Sequence, residues 1–300
     1  MGRARSVRVR VPASSANLGP GFDSLGLALS LYDEVEVSVA DDGVVVEVTG
    51  EGAGQVPCDE THLVVRAMSA TWNVLGGRPP GLRLRCRNAV PHARGLGSSA
   101  AAAVAGAVAA AALAGCDPVA ERDALLQVTA CMEGHADNAA ASLLGGLVVA
   151  WEESGNTTRR FDAVRLEAHP GIVPVALVAK VESSTAMTRG LLPAHVPLAD
   201  AAFTGSRTAL AVLAFTARPD LLMPATEDRL HQGYRRPAYP ESADLLDALR
   251  ERGVPATISG AGPTVLALTT DGTLPDGLDL QGFTPCTVPV DTEGARVEHG

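Results

Sequence analysis

The chain has 300 residues, of which 46% are hydrophobic and 19% are charged, and its net charge is −10. This length predicts two domains, because single hydrophobic cores stop growing near it, and the composition excludes a disordered chain. The acidic balance excludes a broad basic surface for nucleic acid or an anionic membrane. Any phosphate must therefore be bound locally, by backbone N–H groups, a few cations and a metal.

The first half of the chain shows strand and helix patterns in mixed order. Alternating apolar and polar residues predict half-buried strands at residues 7–11, 35–39, 44–48 and 82–87. Helical spacing predicts helices over residues 63–75, 98–114 and 118–132. The last of these has Asp117 at its cap and Pro118 in its first turn. A strand over residues 145–151 is expected to close this half.

The second half opens with an apolar run at residues 172–181. Helices are predicted next, at about 199–217 and 242–252. Short strands are predicted at 256–258, 265–268 and about 284–288. The mixture of strands and helices in both halves predicts an α+β protein, with an N-terminal domain over residues 1–160 and a C-terminal domain over residues 161–300.

The cysteines and the N-terminus indicate the compartment. Five cysteines are widely spaced and form no C-x-x-C pair, so we expect reduced core thiols in a cytoplasmic protein. The N-terminus alternates Arg with Val and lacks the hydrophobic region of a signal peptide. The run from residue 100 to 115 is mostly alanine with glycines inside, which predicts a buried helix and not a membrane span.

A glycine-serine turn runs directly into that helix, as Pro91-His-Ala-Arg-Gly-Leu-Gly-Ser-Ser-Ala-Ala101. Gly95 and Gly97 permit positive φ and a close approach to a ligand, and Ser98 and Ser99 are good N-caps. A helix start directs free N–H groups and the positive end of its dipole at one point, which suits a phosphate. No Gly-Lys-Ser/Thr follows, so this is not a Walker A loop. On spacing alone, a tight turn that caps a packed helix is an equal alternative.

Two more glycine-rich turns stand beside predicted strands. One is Pro12-Ala-Ser-Ser-Ala-Asn-Leu-Gly-Pro-Gly-Phe-Asp-Ser-Leu-Gly26, and the other is Ser259-Gly-Ala-Gly-Pro-Thr264. In this order the three turns resemble the signature motifs of the GHMP kinases, and the resemblance runs from residue 7 to about residue 270. It implies an S5-like N-terminal domain, a ferredoxin-like C-terminal domain, and an active site in the cleft between them.

The resemblance also implies that ATP binds at the glycine-serine turn. The residues expected to contact ATP there are Pro91, His92, Ala93, Arg94, Gly95, Leu96, Gly97, Ser98, Ser99, Ala100 and Ala101. At the adenine end, the segment Glu60-Thr-His-Leu-Val-Val-Arg66 carries His62 where the family usually has asparagine. The imidazole of His62 can still hydrogen-bond the base or stack on it, so ATP remains the expected nucleotide.

Phosphoryl transfer needs the transferred group positioned and its charge neutralised. Mg²⁺ takes few protein ligands in such sites, and the Ser98 hydroxyl and the Glu133 carboxylate are the expected ones. Taken alone, Glu133 would be interpreted as a solvated charge at a helix end. It begins the segment Glu133-Gly-His-Ala-Asp-Asn-Ala-Ala-Ala-Ser-Leu-Leu-Gly-Gly146, which is similar to the Glu-Gly-His-x-Asp-Asn block of the homoserine kinases, one branch of the family.

That branch implies L-homoserine as the phosphate acceptor. Arg189 lies in Thr185-Ala-Met-Thr-Arg-Gly-Leu-Leu-Pro193 and Arg235 ends Asp228-Arg-Leu-His-Gln-Gly-Tyr-Arg235, and both segments look like patterns of the branch. Taken singly, either arginine would be a surface cation, but a guanidinium pair suits the homoserine carboxylate. The other substrate contacts implied are Asn17, Asp23 and Asp137 for the ammonium, His135 for the hydroxyl, and Gly260. A core histidine is an equal alternative for His135.

No dedicated general base is evident. Mevalonate-type relatives carry a lysine near the N-terminal motif, whereas the single lysine here, Lys180, lies far outside it. Asp137 is assigned to the ammonium, and a carboxylate held beside a positive charge is a weak base. We therefore expect a base-free transfer in which Asn138 orients the hydroxyl and the proton leaves late.

Three functions remain in competition, and the first is preferred. It is phosphorylation of L-homoserine by ATP, a step of threonine biosynthesis. The second is another GHMP small-molecule kinase, for mevalonate for example, which the missing lysine and the arginine pair oppose. The third is a non-catalytic GHMP-like metabolite sensor, which would not need Ser98 or Glu133. We expect no nucleic-acid or membrane partner, and the sequence leaves a homodimer open.

Overall fold

The computed structural model describes residues 5–153, 159–183 and 185–298, so the extreme ends of the two predicted domains lie outside the described ranges. The strands in these ranges are β1 (Ser6–Ala16), β2 (Leu25–Ala40), β3 (Val44–Gly50), β4 (Gly81–Asn88), β5 (Leu147–Glu153), β6 (Arg160–Leu166), β7 (Val173–Ala179), β8 (Ala256–Ile258), β9 (Val265–Thr269), β10 (Phe283–Thr287) and β11 (Arg296–Glu298). The α-helices are α1 (Leu63–Leu75), α2 (Ser98–Ala114), α3 (Arg122–Glu133), α4 (Asp137–Leu144), α5 (Thr185–Arg189), α6 (Leu198–Thr216), α7 (Leu222–Ala225), α8 (Gln232–Arg235) and α9 (Pro240–Glu251).

The first sheet has the strand order β11–β1–β2–β4–β3, and β5 pairs with both β2 and β6. The parallel pair β3 and β4 is joined by α1, whereas the other pairings in this sheet are antiparallel. Helix α2 is buried along most of its length, against α1 and β1. A Cβ at Gly106 would overlap the Val64 carbonyl, so a residue without a side chain is needed for α1 and α2 to pack this closely.

The second sheet has the antiparallel order β10–β7–β9–β8. Its strands therefore lie in the order four, one, three, two of their appearance in the chain, which is the expected ferredoxin-like arrangement. Helix α9 covers one face, where Leu249 packs in a core with Val175 and Ile258. A second core joins the two sheets. In it, Phe215 of α6 packs in one cluster with Leu147 of the first sheet and with buried residues of the second sheet.

The ends of the second half return to the first sheet. Strand β6 begins at Arg160 and pairs with β5, and β11 pairs with β1. The domain boundary at residue 160 stays a prediction. Because β6 and β11 pair with the first sheet, a division at this residue leaves strand pairings between the two parts of the chain.

Two expectations about local structure are wrong. The helix predicted from Pro118 begins at Arg122, because Asp117 closes a separate turn: its carboxylate accepts from the Val119 N–H at 2.9 Å. The expectation of core thiols holds for Cys86, but Cys58 and Cys131 are exposed. None of the helices in the described ranges is long and apolar enough to cross a membrane.

Candidate active site

The three glycine-rich turns converge at one place between the sheets. The Gly260 N–H donates to the Ala16 carbonyl at 3.0 Å, and the Gly260 carbonyl accepts from the Asn17 side-chain amide at 2.7 Å. The Ser259 hydroxyl donates to the Gly95 carbonyl at 2.6 Å. These bonds join segments more than 150 residues apart, so the tertiary fold and not local sequence assembles the site.

The glycine-serine turn needs its glycines, as predicted. Gly95 and Gly97 have φ of +80° and +68°. A Cβ at Gly95 would overlap the Ser259 carbonyl, and one at Gly97 would overlap the hydroxyl of Ser14. Gly97 is also the N-cap of α2, so Ser98 is the first helical residue and not the cap that the sequence suggested.

A cavity of about 500 Å³ opens where the turns meet. It is lined by every predicted site residue except two of the ATP-binding set. The predicted residues in its wall are Asn17, Asp23, His62, Pro91, His92, Ala93, Arg94, Gly95, Leu96, Gly97, Ser98, Ser99, Glu133, His135, Asp137, Asn138, Arg189, Arg235 and Gly260. Ala100 and Ala101 are instead buried in the core, and the Ala101 N–H is used within the helix, where it donates to the Gly97 carbonyl at 2.8 Å.

One end of the cavity carries two imidazoles that burial keeps neutral. His62 is the N-cap of α1, and its Nδ1 accepts from the Val64 N–H at 3.3 Å. Burial is the main cause that lowers the pKa of both His62 and His92. The nearby Arg94 is an anchor for the turn, since its Nε donates to the Ala179 carbonyl of β7 at 2.9 Å.

A carboxylate and two hydroxyls lie at the start of α2. Glu133 is the last residue of α3, as expected, and its carboxylate accepts from the Ser99 hydroxyl at 2.6 Å. Ser98 precedes that serine and lines the same cavity. In the described part of the chain no three His, Cys, Asp or Glu side chains cluster as a metal site. A hydroxyl and a carboxylate are oxygen donors of the kind that Mg²⁺ takes from a protein when it shares its coordination with phosphate oxygens and water.

The segment after Glu133 forms a compact polar group. Asp137 is buried at the first turn of α4, and its Oδ1 lies 3.0 Å from Nδ1 of His135 and accepts from the Asn138 N–H at 2.8 Å. The hydrogen bond to Asp137 is the main cause that raises the pKa of His135. Asn138 is fixed in turn, because its side-chain oxygen accepts from the Ser14 hydroxyl at 3.0 Å.

The two predicted arginines line the same cavity, and both contact the Phe22 ring. The guanidinium carbons of Arg189 and Arg235 are 5.3 Å and 5.4 Å from the centre of the Phe22 ring. Arg189 makes a bidentate ion pair with Asp23, at 2.8 Å and 2.7 Å. Arg235 is only 1% exposed, and its Nε has no hydrogen-bond partner among the described residues. A buried guanidinium without a carboxylate is costly, and burial is the main cause that lowers the pKa of Arg235.

Three residues at this site were not predicted. Phe22 was inside a quoted motif, but nothing in the sequence showed that its ring would contact two arginines. His231 was likewise inside a motif, and it is fully buried beside Arg235. Asp33 lines the cavity and accepts from the N–H groups of Ala89 and Val90 at 2.8 Å and 2.9 Å, just before the glycine-serine turn. Asp33 lies just before the strand predicted at residues 35–39, beside Glu34, and no signal in the sequence separated it from a surface charge.

Known proteins resemble this chain over nearly its whole length. Residues 62–146 match the family described as GHMP kinases N terminal domain, and residues 209–277 match GHMP kinases C terminal. The homoserine kinase of Streptomyces avermitilis is 51% identical over 298 residues, covering 98% of this chain and 96% of that protein. The homoserine kinase of Mycolicibacterium vanbaalenii is 56% identical over 267 residues, covering 88% of this chain and 85% of that protein.

A solved structure agrees with these sequence matches. The crystal structure of homoserine kinase from Cytophaga hutchinsonii superimposes with a TM-score of 0.83 at 26% identity, covering 99% of both chains. A glycine-rich turn at a helix start, facing carboxylates across one cavity in this fold, is the arrangement of a small-molecule kinase. The chain belongs to the GHMP kinase family, in its homoserine kinase branch.

Proposed function

We propose that the protein transfers the γ-phosphoryl group of ATP to the side-chain hydroxyl of L-homoserine, giving O-phospho-L-homoserine and ADP. The observation that carries this proposal is Arg235, a buried guanidinium with an unpartnered Nε in the wall of the same cavity as the glycine-serine turn. The charge calls for an anion inside the cavity, and a planar fork suits a carboxylate. The acceptor therefore carries a carboxylate, and the carboxylates of Asp23 and Asp137 in the same wall suit the ammonium that homoserine has and mevalonate lacks.

The phosphates of ATP are assigned to the glycine-serine turn. The free N–H groups at the start of α2 and the helix dipole would hold their negative charge. Ser98 and Glu133 would hold Mg²⁺, which neutralises charge on the transferring phosphoryl group when it is bound. The Ser99 hydroxyl keeps the Glu133 carboxylate in place through their 2.6 Å hydrogen bond. His62 and His92, both neutral, are assigned to the nucleoside end.

The homoserine ammonium and carboxylate are assigned to the Asp23–Arg189 and Arg235 end. Asp23 and Arg189 already neutralise each other in a bidentate pair. A zwitterion that enters can exchange partners with this pair, its ammonium meeting Asp23 and Asp137 and its carboxylate meeting Arg189 and Arg235. The exchange replaces one ion pair with two, one at each charged end of the zwitterion, so it leaves no charge unpaired. Asn17 contributes by fixing the turn, because its side-chain oxygen accepts from the Asp23 N–H at 3.0 Å.

The substrate hydroxyl is assigned to Asn138 and His135. The side-chain oxygen of Asn138 is held by Ser14, so the amide nitrogen is the group that would donate to the hydroxyl oxygen. The hydrogen bond to Asp137 is the main cause that raises the pKa of His135, which favours the protonated ring, whose Nε2–H can donate to the substrate hydroxyl. These assignments support a transfer in which no side chain removes the proton first and the proton leaves late to a phosphate oxygen.

A coupled assay of ADP release with a panel of alcohols tests the proposal. Homoserine should be phosphorylated, and mevalonate and the decarboxylated amino alcohol should be poor acceptors. Phosphorus NMR of the product should show a phosphate monoester on the side chain. Turnover of mevalonate in preference to homoserine would favour the second candidate. Homoserine binding without turnover at saturating Mg²⁺ would favour the metabolite sensor.

We further propose a cytoplasmic location, in keeping with the unpaired cysteines, and a domain division near residue 160. Limited proteolysis followed by mass spectrometry tests the division.

A further inference from the structure

His231 occupies a fully buried position between two parts of the substrate end of the cavity. It directly precedes α8, which ends at Arg235. Its Nε2 lies 2.7 Å from the Gly19 carbonyl, in the N-terminal glycine-rich turn, and its Nδ1 lies 3.3 Å from Nη1 of Arg235. The ring also contacts Phe22, with the two ring centres 5.2 Å apart. The imidazole therefore bridges the turn to the arginine.

The two partners fix the tautomer of His231. A carbonyl only accepts and a guanidinium only donates, so Nε2 must carry the proton and Nδ1 must carry the lone pair. A proton on Nδ1 would point at the N–H groups of Arg235. Burial is the main cause that lowers the pKa of His231, which keeps the ring neutral. Asp228 lies 3.8 Å from Nε2, but its Oδ2 accepts from the N–H groups of His231 and Gln232 at 3.0 Å and 2.8 Å.

The carbonyl at Gly19 is a fixed anchor. Gly19 has φ of +85°, and a Cβ there would approach the Thr226 carbonyl oxygen to 2.6 Å. Thr226 is the C-cap of α7, so the end of this helix packs directly against the turn. Among the described residues, the other hydrogen bond of Arg235, to the Gly260 carbonyl, is longer, at 3.5 Å. The bond to His231 is the shorter of these two hydrogen bonds, and both are made by Nη1 of the guanidinium.

We propose that His231, protonated at Nε2, is a positioning residue that orients the Arg235 guanidinium and thereby sets the preference for substrates with a carboxylate. The inference rests on the proposed function, since it assumes that Arg235 meets the substrate carboxylate. His231 touches neither substrate nor nucleotide in this arrangement and acts through Arg235.

Two substitutions separate the two ends of the imidazole. Asn places a polar atom near the position of Nδ1, so His231→Asn keeps an acceptor for Arg235 and loses the bond to Gly19. Gln reaches the position of Nε2, so His231→Gln keeps the donor to Gly19 and loses the acceptor for Arg235. His169→Gln is the matched control, because Nδ1 of His169 accepts from the Gly171 N–H at 3.0 Å in a part of the fold outside the cavity.

The readout is selectivity, the ratio of kcat/KM for homoserine to kcat/KM for the decarboxylated amino alcohol. His231→Gln should lower this ratio about tenfold, chiefly through a higher KM for homoserine, the effect of one hydrogen bond to a charged group. The KM for ATP should stay the same. His231→Asn should keep more of the selectivity, and His169→Gln should keep all of it. In an Arg235→Lys background, His231→Gln should cause no further loss of selectivity.

An unchanged ratio in folded His231→Gln overturns the inference, and so does a larger loss in His231→Asn than in His231→Gln. If His231→Gln does not fold, the double variant Arg235→Lys, His231→Asn decides instead: a ratio equal to that of Arg235→Lys alone supports the coupling, and a further loss overturns the inference. Calorimetric binding of homoserine and the amino alcohol gives the same ratio without turnover. If the unsubstituted protein binds homoserine but does not phosphorylate it, the proposed function alone is refuted. If it binds neither homoserine nor the amino alcohol, both the proposed function and the role of His231 are refuted.

Discussion

Replacing Arg235 with lysine is the most direct test of how the substrate is recognised. The side chain is buried, its Nη1 contacts His231 at 3.3 Å, and its Nε is unpartnered. Lysine keeps the charge but has one nitrogen in place of a planar fork. Loss of one charged hydrogen bond to the homoserine carboxylate should weaken binding by about 1–3 kcal/mol, which is a rise in KM of about 5- to 150-fold.

Steady-state kinetics with homoserine and with the decarboxylated amino alcohol measure this effect. The variant should lose selectivity between the two acceptors, whereas the KM for ATP should barely change because the nucleotide is assigned to the glycine-serine turn and not to Arg235. Arg236→Lys is the matched control. Arg236 is the next residue, is exposed, and pairs with Asp244 and Asp247 on α9, away from the cavity.

Equal selectivity in the parent and in Arg235→Lys would refute the assignment of Arg235 to the carboxylate. A parallel rise in KM for both acceptors would refute it as well, because the amino alcohol has no carboxylate to lose. A large rise in the homoserine KM of the Arg236→Lys control would show that the region responds to any loss of a guanidinium. In that case only the selectivity ratio would test the assignment of Arg235.

Three further predictions concern the metal, the proton and stability. Ser98→Ala and Glu133→Ala should each lower kcat by about 10²-fold or more at saturating Mg²⁺, with a smaller loss for Ser99→Ala; near-normal turnover would remove them from the site. Asp137→Asn should chiefly raise the homoserine KM. A kcat loss of about 10³-fold at unchanged affinity would identify Asp137 as the base. Burial raises the pKa of Asp33 to about 6, so ionisation weakens folding as the pH rises through that value. Urea unfolding from about pH 5 to pH 7 should therefore show the parent losing about 1 kcal/mol relative to Asp33→Asn, and parallel profiles would contradict the assignment.

The sequence alone determined what depends on near neighbours in the chain. The bounds of α1 and α2 follow from local helix propensity and spacing, and the structure confirms both. Gly95 and Gly97 were recognised because only glycine adopts their positive φ at low energy. The ordered motifs also indicated the family, and the comparisons confirm it. The short elements β11 and α8 were missed, since neither has the run of mostly apolar residues that marked the comparably short β8.

Only the tertiary structure decided which side chains meet. Arg189 pairs with Asp23 across 166 residues, and Asn17 reaches Gly260 across 243 residues. No local pattern encodes such contacts, because packing of the two sheets brings the segments together. The same holds for His231: sequence placed it in a motif, whereas complete burial between a carbonyl and a guanidinium fixes its neutral tautomer and so its chemistry.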